Sequence, residues 1–148
     1  IMITLKELQD TWAVDCKINE LELGKETIKT AELHSKYLNH LSNFKLQLRK
    51  SEAAYFKLRR VKEQYWRGEL TQQELTALGW DQWLGNKPLK NDMQHMIESD
   101  DDLQEQMNKV EYIRTICDFL ERVMRALNSR TWDIKNGIEW TKFTNGLM

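Results

Sequence analysis

From Glu26 to Trp66 the chain contains neither glycine nor proline, and Leu, Lys, Arg, Ala, Glu and Gln dominate the run. These are strong helix formers, because their side chains lose little rotamer freedom on a helix. The run predicts one helix of about 40 residues, spanning roughly 60 Å. Tyr37, Leu41, Phe44, Leu48, Tyr55, Leu58 and Tyr65 recur along it at spacings close to a heptad, the mark of a packing seam. Ser51 and Lys62 interrupt that seam. One small domain cannot cover so long a helix, so its apolar face is expected to meet helices of its own chain and of a partner chain.

The remaining signals are also helical. Thr4 followed by Glu7 fits a capping box, so a short helix is expected to start there. Gly24 is placed to end an element, and Gly68 to end the long helix. "TQQE" at Thr71–Glu74 is a second capping box, and its helix should stop at Gly79. "GWDQWLGNKP" then reads as an irregular, Trp-rich connector. Glu98, Asp100, Asp101, Asp102 and Glu105 open the last long segment. Leu103, Met107, Val110, Ile113, Cys117, Leu120, Met124 and Leu127 follow at helical spacing, and the pattern weakens through Ile134 and Ile138. A helix is expected from about Asp101 to at least Leu127, broken or bent near Gly137.

There are no strand signals and no repeats. The fold class expected is therefore all-α: long helices in a hairpin-like arrangement with a short helical, Trp-rich connector. The chain reads as one all-helical domain, with an N-terminal segment (1–25), the long basic helix (26–67), the connector (68–98) and a C-terminal helical segment (99–148).

Composition sets limits on function. Lys and Arg number 22 against 23 Asp and Glu, for a net charge of −1. Any surface for a polyanion must therefore be local. About 30% of residues are charged, which suits a thin helical protein with much exposed surface. No transmembrane stretch or signal-peptide pattern is evident. Cys16 and Cys117 lack metal-ligand spacing and are expected to be buried free thiols in a reducing compartment. Ile1 is not a normal translation start, and Met2 is expected to be one.

The local basic surface lies on the long helix. At about 100° per residue, Lys45, Arg49, Lys50, Lys57, Arg60 and Arg67 share an arc of roughly 140° opposite the apolar seam. Phe56 lies inside this stripe, Leu38 and Leu46 point the same way, and Arg59 sits at its border with the apolar face. Lys62 falls on the apolar side. Unstacked nucleic acid needs cations for its phosphates and flat apolar groups for its bases, and a Lys/Arg stripe with an embedded aromatic supplies both. Only Glu52 and Glu63 oppose the basic residues between Lys45 and Arg67, so the rest of the chain is net acidic, an asymmetry expected of a polyanion site. The plainer reading is a solvated helix face whose aromatic makes a packing contact.

Other chemistries lack their residues. There is neither a phosphate-binding G-x-x-x-x-G-K-[ST] loop nor a G-x-G-x-x-G turn. His34, His40 and His95 have no i, i+4 partner, so no metal site is expected. "ESDDDLQE" lacks the glycine and distal glutamate of a calcium loop. It reads as a helix N-terminus, or as an acidic contact for a basic partner or a neighbouring subunit's stripe. No catalytic set stands out and no cofactor is expected. The 6 tryptophans are expected to pack a thin core or subunit contacts.

"LHSKYLNHLSNFKLQL" (33–48), the basic "FKLRRVKEQYWRG" after it, and "CDFLERVMRALNSRTWDIKNGIEW" (117–140) resemble the UvsY-like recombination mediator proteins of T-even-like tailed phages. The resemblance covers most of residues 10–145 and is weakest over 66–95. It implies a non-enzymatic protein in the cytoplasm of the infected bacterial host. Such proteins bind single-stranded DNA and promote loading of a RecA-like recombinase onto DNA covered by single-stranded-DNA-binding protein. They act as ring-like homo-oligomers of about six or seven chains, with the C-terminal segment important for assembly. The family's Lys-x-Arg DNA-binding pair falls on Lys57 and Arg59, and Arg60 stands beside them.

The expectation is thus a homo-oligomeric mediator whose DNA site comprises Lys45, Arg49, Lys50, Phe56, Lys57, Arg59, Arg60 and Arg67. Leu120, Met124, Leu127, Trp132, Ile134, Ile138 and Trp140, with Phe143, are expected to supply subunit contacts. The alternative is a helical structural adaptor that forms a homo-oligomer and binds no DNA.

Overall fold

A computed structural model gives the fold over residues 2–146. Ile1 and the last two residues of the C-terminal segment lie outside the described residues. The elements are α1 (Leu5–Asp15), α2 (Leu23–Trp66), α3 (Gln72–Leu78), α4 (Lys90–Ser99) and α5 (Asp101–Thr144). No strand occurs among the described residues, and the fold is all-α as expected.

The ends of these helices follow from local chemistry. Thr4 Oγ1 accepts from the Glu7 backbone N–H and caps α1. Thr71 and Glu74 form a reciprocal capping box at the start of α3. Gly68 (φ 72°) and Gly79 (φ 73°) end α2 and α3 in the left-handed conformation, which a β-carbon would strain. Gly24 does not end an element. It is the second residue of α2, which follows a turn where Asn19 Oδ1 accepts from the Leu21 N–H.

The connector is helical as expected, with α4 following α3. One further expectation is corrected: α5 runs unbroken through Gly137 to Thr144. Glycine inside a helix costs only about 1 kcal/mol, and an added β-carbon at Gly137 would meet Leu23 at ordinary van der Waals distance, 3.4 Å.

The chain packs as two compact units. The first combines the residues up to Lys45 with those from Thr115 onward, and the second is Leu46–Arg114. In the first unit α1 is fixed to α2 through Asp15, which accepts from Lys36 Nζ (2.7 Å) and Tyr37 Oη (2.8 Å). Trp12 meets the Tyr37 ring edge-on at 5.3 Å. Leu33, Tyr37, Leu41 and Phe44 of α2 and Ile116, Leu120, Val123, Leu127 and Ile134 of α5 are buried. Burying such side chains stabilises by roughly 1.5–3 kcal/mol each. Arg130 of α5 is buried among them. It ion-pairs with buried Glu26 and donates to Thr30 Oγ1 (2.9 Å) and to the Cys16 carbonyl (3.0 Å). Cys117 is buried as expected, but Cys16 is exposed because it lies at the C-terminal cap of α1.

In the second unit Tyr55, Trp66, Ile97, Leu103 and Val110 form the core, flanked by Leu48, Leu58, Tyr65, Trp83, Met93, Met96 and Met107. Here α2 and α5 run antiparallel: Gln106 donates to the Ser51 carbonyl, and Lys62 reaches Asp100 and Asp102. Asp100 breaks α4 from α5 with an extended backbone (ψ 126°), and its carboxylate caps α5 at the Leu103 N–H (3.0 Å). The acidic run therefore caps a helix and also neutralises the one lysine on the apolar side of α2. Burial disfavours the Lys62 ammonium, but its hydrogen bonds to Asp102 and Asp100 outweigh that and raise its pKa.

Candidate nucleic-acid interface

The basic face is built on the part of α2 that lies in the second unit. Burying Tyr55 and the seam around Leu48, Leu58 and Tyr65 turns the opposite side of the helix outward. Arg49, Lys50, Lys57 and Arg60 are exposed there, and none of them makes an ion pair among the described residues. Phe56, in the same stripe, is 59% exposed although its neighbour Tyr55 is buried. Its ring meets that of Tyr55 edge-on, with centroids 5.5 Å apart. An unpaired cation set around an exposed aromatic can engage phosphates by charge and a base by its face.

The two acids of the run are committed elsewhere. Glu52 lies 3.3 Å from Arg114 of α5. Glu63 Oε1 accepts from Arg59 Nε at 3.2 Å, and its Oε2 is 3.9 Å from Arg67 Nη1. Arg67 also pairs with Glu69 at 3.0 Å. Arg59 and Arg67 therefore differ from the four unpaired cations, since they are already held by carboxylates. Lys45 belongs to the first unit and lies 3.4 Å from Glu121. That pair is exposed, and such a contact is worth at most about 1 kcal/mol, so it does not immobilise Lys45.

Residues 11–147 match the family model described as recombination, repair and ssDNA binding protein UvsY. The chain belongs to the UvsY family. Its fold is similar to crystal structures of the bacteriophage T4 recombination mediator protein UvsY. One lattice form superposes with a TM-score of 0.85 at 22% identity, covering 97% of this chain and 99% of that one. Two other lattice forms give 0.84 and 0.83 at the same identity, covering 95% and 93% of this chain and 99% and 98% of theirs. No curated protein sequence matches significantly.

In this UvsY-family chain the expected subunit-contact residues divide into three groups. Leu120, Leu127 and Ile134 are 0%, 1% and 2% exposed. They are core residues of their own chain, covered within the first unit. Met124 and Ile138 are half-buried. Trp132, Trp140 and Phe143 stay exposed, the last two with rings stacked at 5.8 Å.

α4 adds residues that the sequence pattern did not single out. Pro88, Lys90, Met93, Gln94 and Ile97 come against Arg59, Glu63 and Arg67 and form a surface groove of about 410 Å³. A neighbouring groove shares Arg59, Gln94 and Ile97 and continues to Tyr55, Leu103 and Met107. Arg59, which the helix geometry puts at the edge of the stripe, thus lies where α2 faces α4. Among the described residues no cluster of His, Cys, Asp or Glu could hold a metal ion, and no helix is long and apolar enough to cross a membrane.

Proposed function

We propose that this UvsY-family chain is a recombination mediator that binds single-stranded DNA along the outward face of α2. The observation that carries the reading is the grouping of Arg49, Lys50, Lys57 and Arg60, exposed and without ion pairs, around an exposed Phe56. Phosphates take the cations, and an unstacked base takes the aromatic face. Arg59, Arg67 and Lys45 join when their carboxylate partners yield.

Four cations make a weak site in one chain. A ring-like homo-oligomer of about six or seven chains repeats that site, and linked sites raise effective concentration. Trp132, Trp140 and Phe143 are the exposed apolar groups for subunit contacts. A strand bent around such a ring is loosened from single-stranded-DNA-binding protein and presented to a RecA-like recombinase. No step in this scheme requires bond chemistry by the mediator, so its role is non-enzymatic. It acts in the infected bacterial cytoplasm.

Light-scattering mass with and without a short single-stranded oligonucleotide tests the reading. The expected result is an oligomer whose mass rises by the bound DNA. An oligomer that takes up no DNA at low salt would favour the structural-adaptor reading.

A further inference from the structure

The groove between α2 and α4 has the composition of a nucleotide site. Arg59, Arg67 and Lys90 bring positive charge to it, while Pro88, Met93 and Ile97 supply apolar wall. Its volume, about 410 Å³, lies in the range of small-ligand clefts. The one acid in its lining is Glu63. Its two carboxylate oxygens address two different guanidinium groups, Arg59 at 3.2 Å and Arg67 at 3.9 Å. Planar guanidinium groups bind carboxylate and phosphate oxygens with the same geometry. The carboxylate therefore sits where a phosphate bridging the two arginines would sit.

We infer that this groove seats one nucleotide of the bound strand, with its phosphate between Arg59, Arg67 and Lys90, and that Glu63 holds the phosphate position in the free protein. The assignment rests on the single-stranded-DNA reading given above. Binding exchanges one set of charge-assisted contacts for another: the strand displaces Glu63, and the sugar and base lie against Pro88 and Met93. Glu63 thereby lowers the affinity of the site and keeps Arg59 ordered while it is empty, and Glu69, 3.0 Å from Arg67, helps hold the second arginine. The site gives Lys90 a role in DNA binding although it lies outside α2.

The test is binding of a fluorescent oligothymidylate to the full-length chain across a salt series. Glu63→Gln is expected to tighten binding several-fold. Lys90→Ala is expected to weaken it several-fold and to reduce the log–log salt slope by about 0.7, the contribution of one phosphate contact on a single strand. Glu105→Gln removes the same charge from an exposed position of α5 outside the groove and controls for general electrostatics. Equal tightening by Glu63→Gln and Glu105→Gln would overturn the groove assignment, as would an unchanged salt slope in Lys90→Ala. Absence of binding by the unsubstituted chain would instead remove the DNA reading on which the assignment rests. Binding lost on Lys57→Ala with Arg60→Ala, but indifferent to Lys90 and Glu63, would leave that reading intact and remove the groove alone.

Discussion

The Lys62 ammonium lies 2.9 Å from the Asp102 carboxylate and 3.2 Å from that of Asp100. One of the basic residues of α2 is thereby a buried link to α5 and not part of the outward face. Lys62→Ala leaves the half-buried Asp100 without its cation and should destabilise the chain by about 1–3 kcal/mol, read by urea denaturation. Affinity for single-stranded DNA should stay within about twofold of the parent, since the residue adds no exposed charge. A large loss of affinity in a folded variant would contradict this division of the helix.

The contact of α1 with α2 should be sensitive to acid. Burial favours the neutral Asp15 carboxyl, but hydrogen bonds from Lys36 and Tyr37, with the Lys36 charge, prevail and lower its pKa below 3.8. A carboxyl with a depressed folded-state pKa binds its proton more readily when unfolded. Its stabilising contribution is therefore complete above the unfolded pKa and is lost as pH falls through the folded one. Thermal melts of Asp15→Asn should show a smaller loss of stability than the parent as the pH falls below about 4.

Phe56 and the cations should separate by their salt dependence. Phe56→Ala removes a stacking face and should cost about 1–3 kcal/mol of affinity for each base it holds. The log–log salt slope should not change, because no charge is lost. Fluorescence anisotropy with oligothymidylate at several salt concentrations reads both quantities. An unaltered affinity would reduce Phe56 to a packing partner of Tyr55.

Assembly should depend on the exposed aromatics of α5. Trp132→Ser with Trp140→Ser removes side chains that are 64% and 66% exposed, so the fold of the single chain should persist. The mass by light scattering should fall towards that of one chain, 17.7 kDa, and avidity for DNA should fall with it. An unchanged mass would place the subunit contacts elsewhere.

The sequence made the long elements legible because their signals are local. The Gly- and Pro-free run ending at Gly68 defines α2 closely, and Thr71, Glu74 and Gly79 define α3. α4 was hidden because Leu89, at its N-cap, offers no side-chain acceptor, and the acids that follow it resemble the start of the next helix. The groove was hidden with it, since Lys90 has no helical partner in sequence that marks it. Helix geometry found the outward stripe and set Lys62 on the apolar side. It could not supply the lysine's partners, which lie 38 and 40 residues away. Nor could it separate Leu120 and Leu127, closed within the chain, from Trp132 and Trp140, since spacing places a residue on a face but does not say how wide the covering is. Nothing near Arg130 in sequence announces its buried ion pair with Glu26.

The most direct measurement is the salt dependence of oligothymidylate binding by the parent chain and by Lys57→Ala with Arg60→Ala. Each phosphate contact on a single strand contributes about 0.7 to the log–log slope. Four unpaired cations predict a negative parent slope of magnitude about 2.8 or more, reduced by about 1.4 in the double variant, with the mass of the oligomer unchanged. Absence of binding at low salt, or the same slope in both proteins, would contradict the assignment of this face to single-stranded DNA.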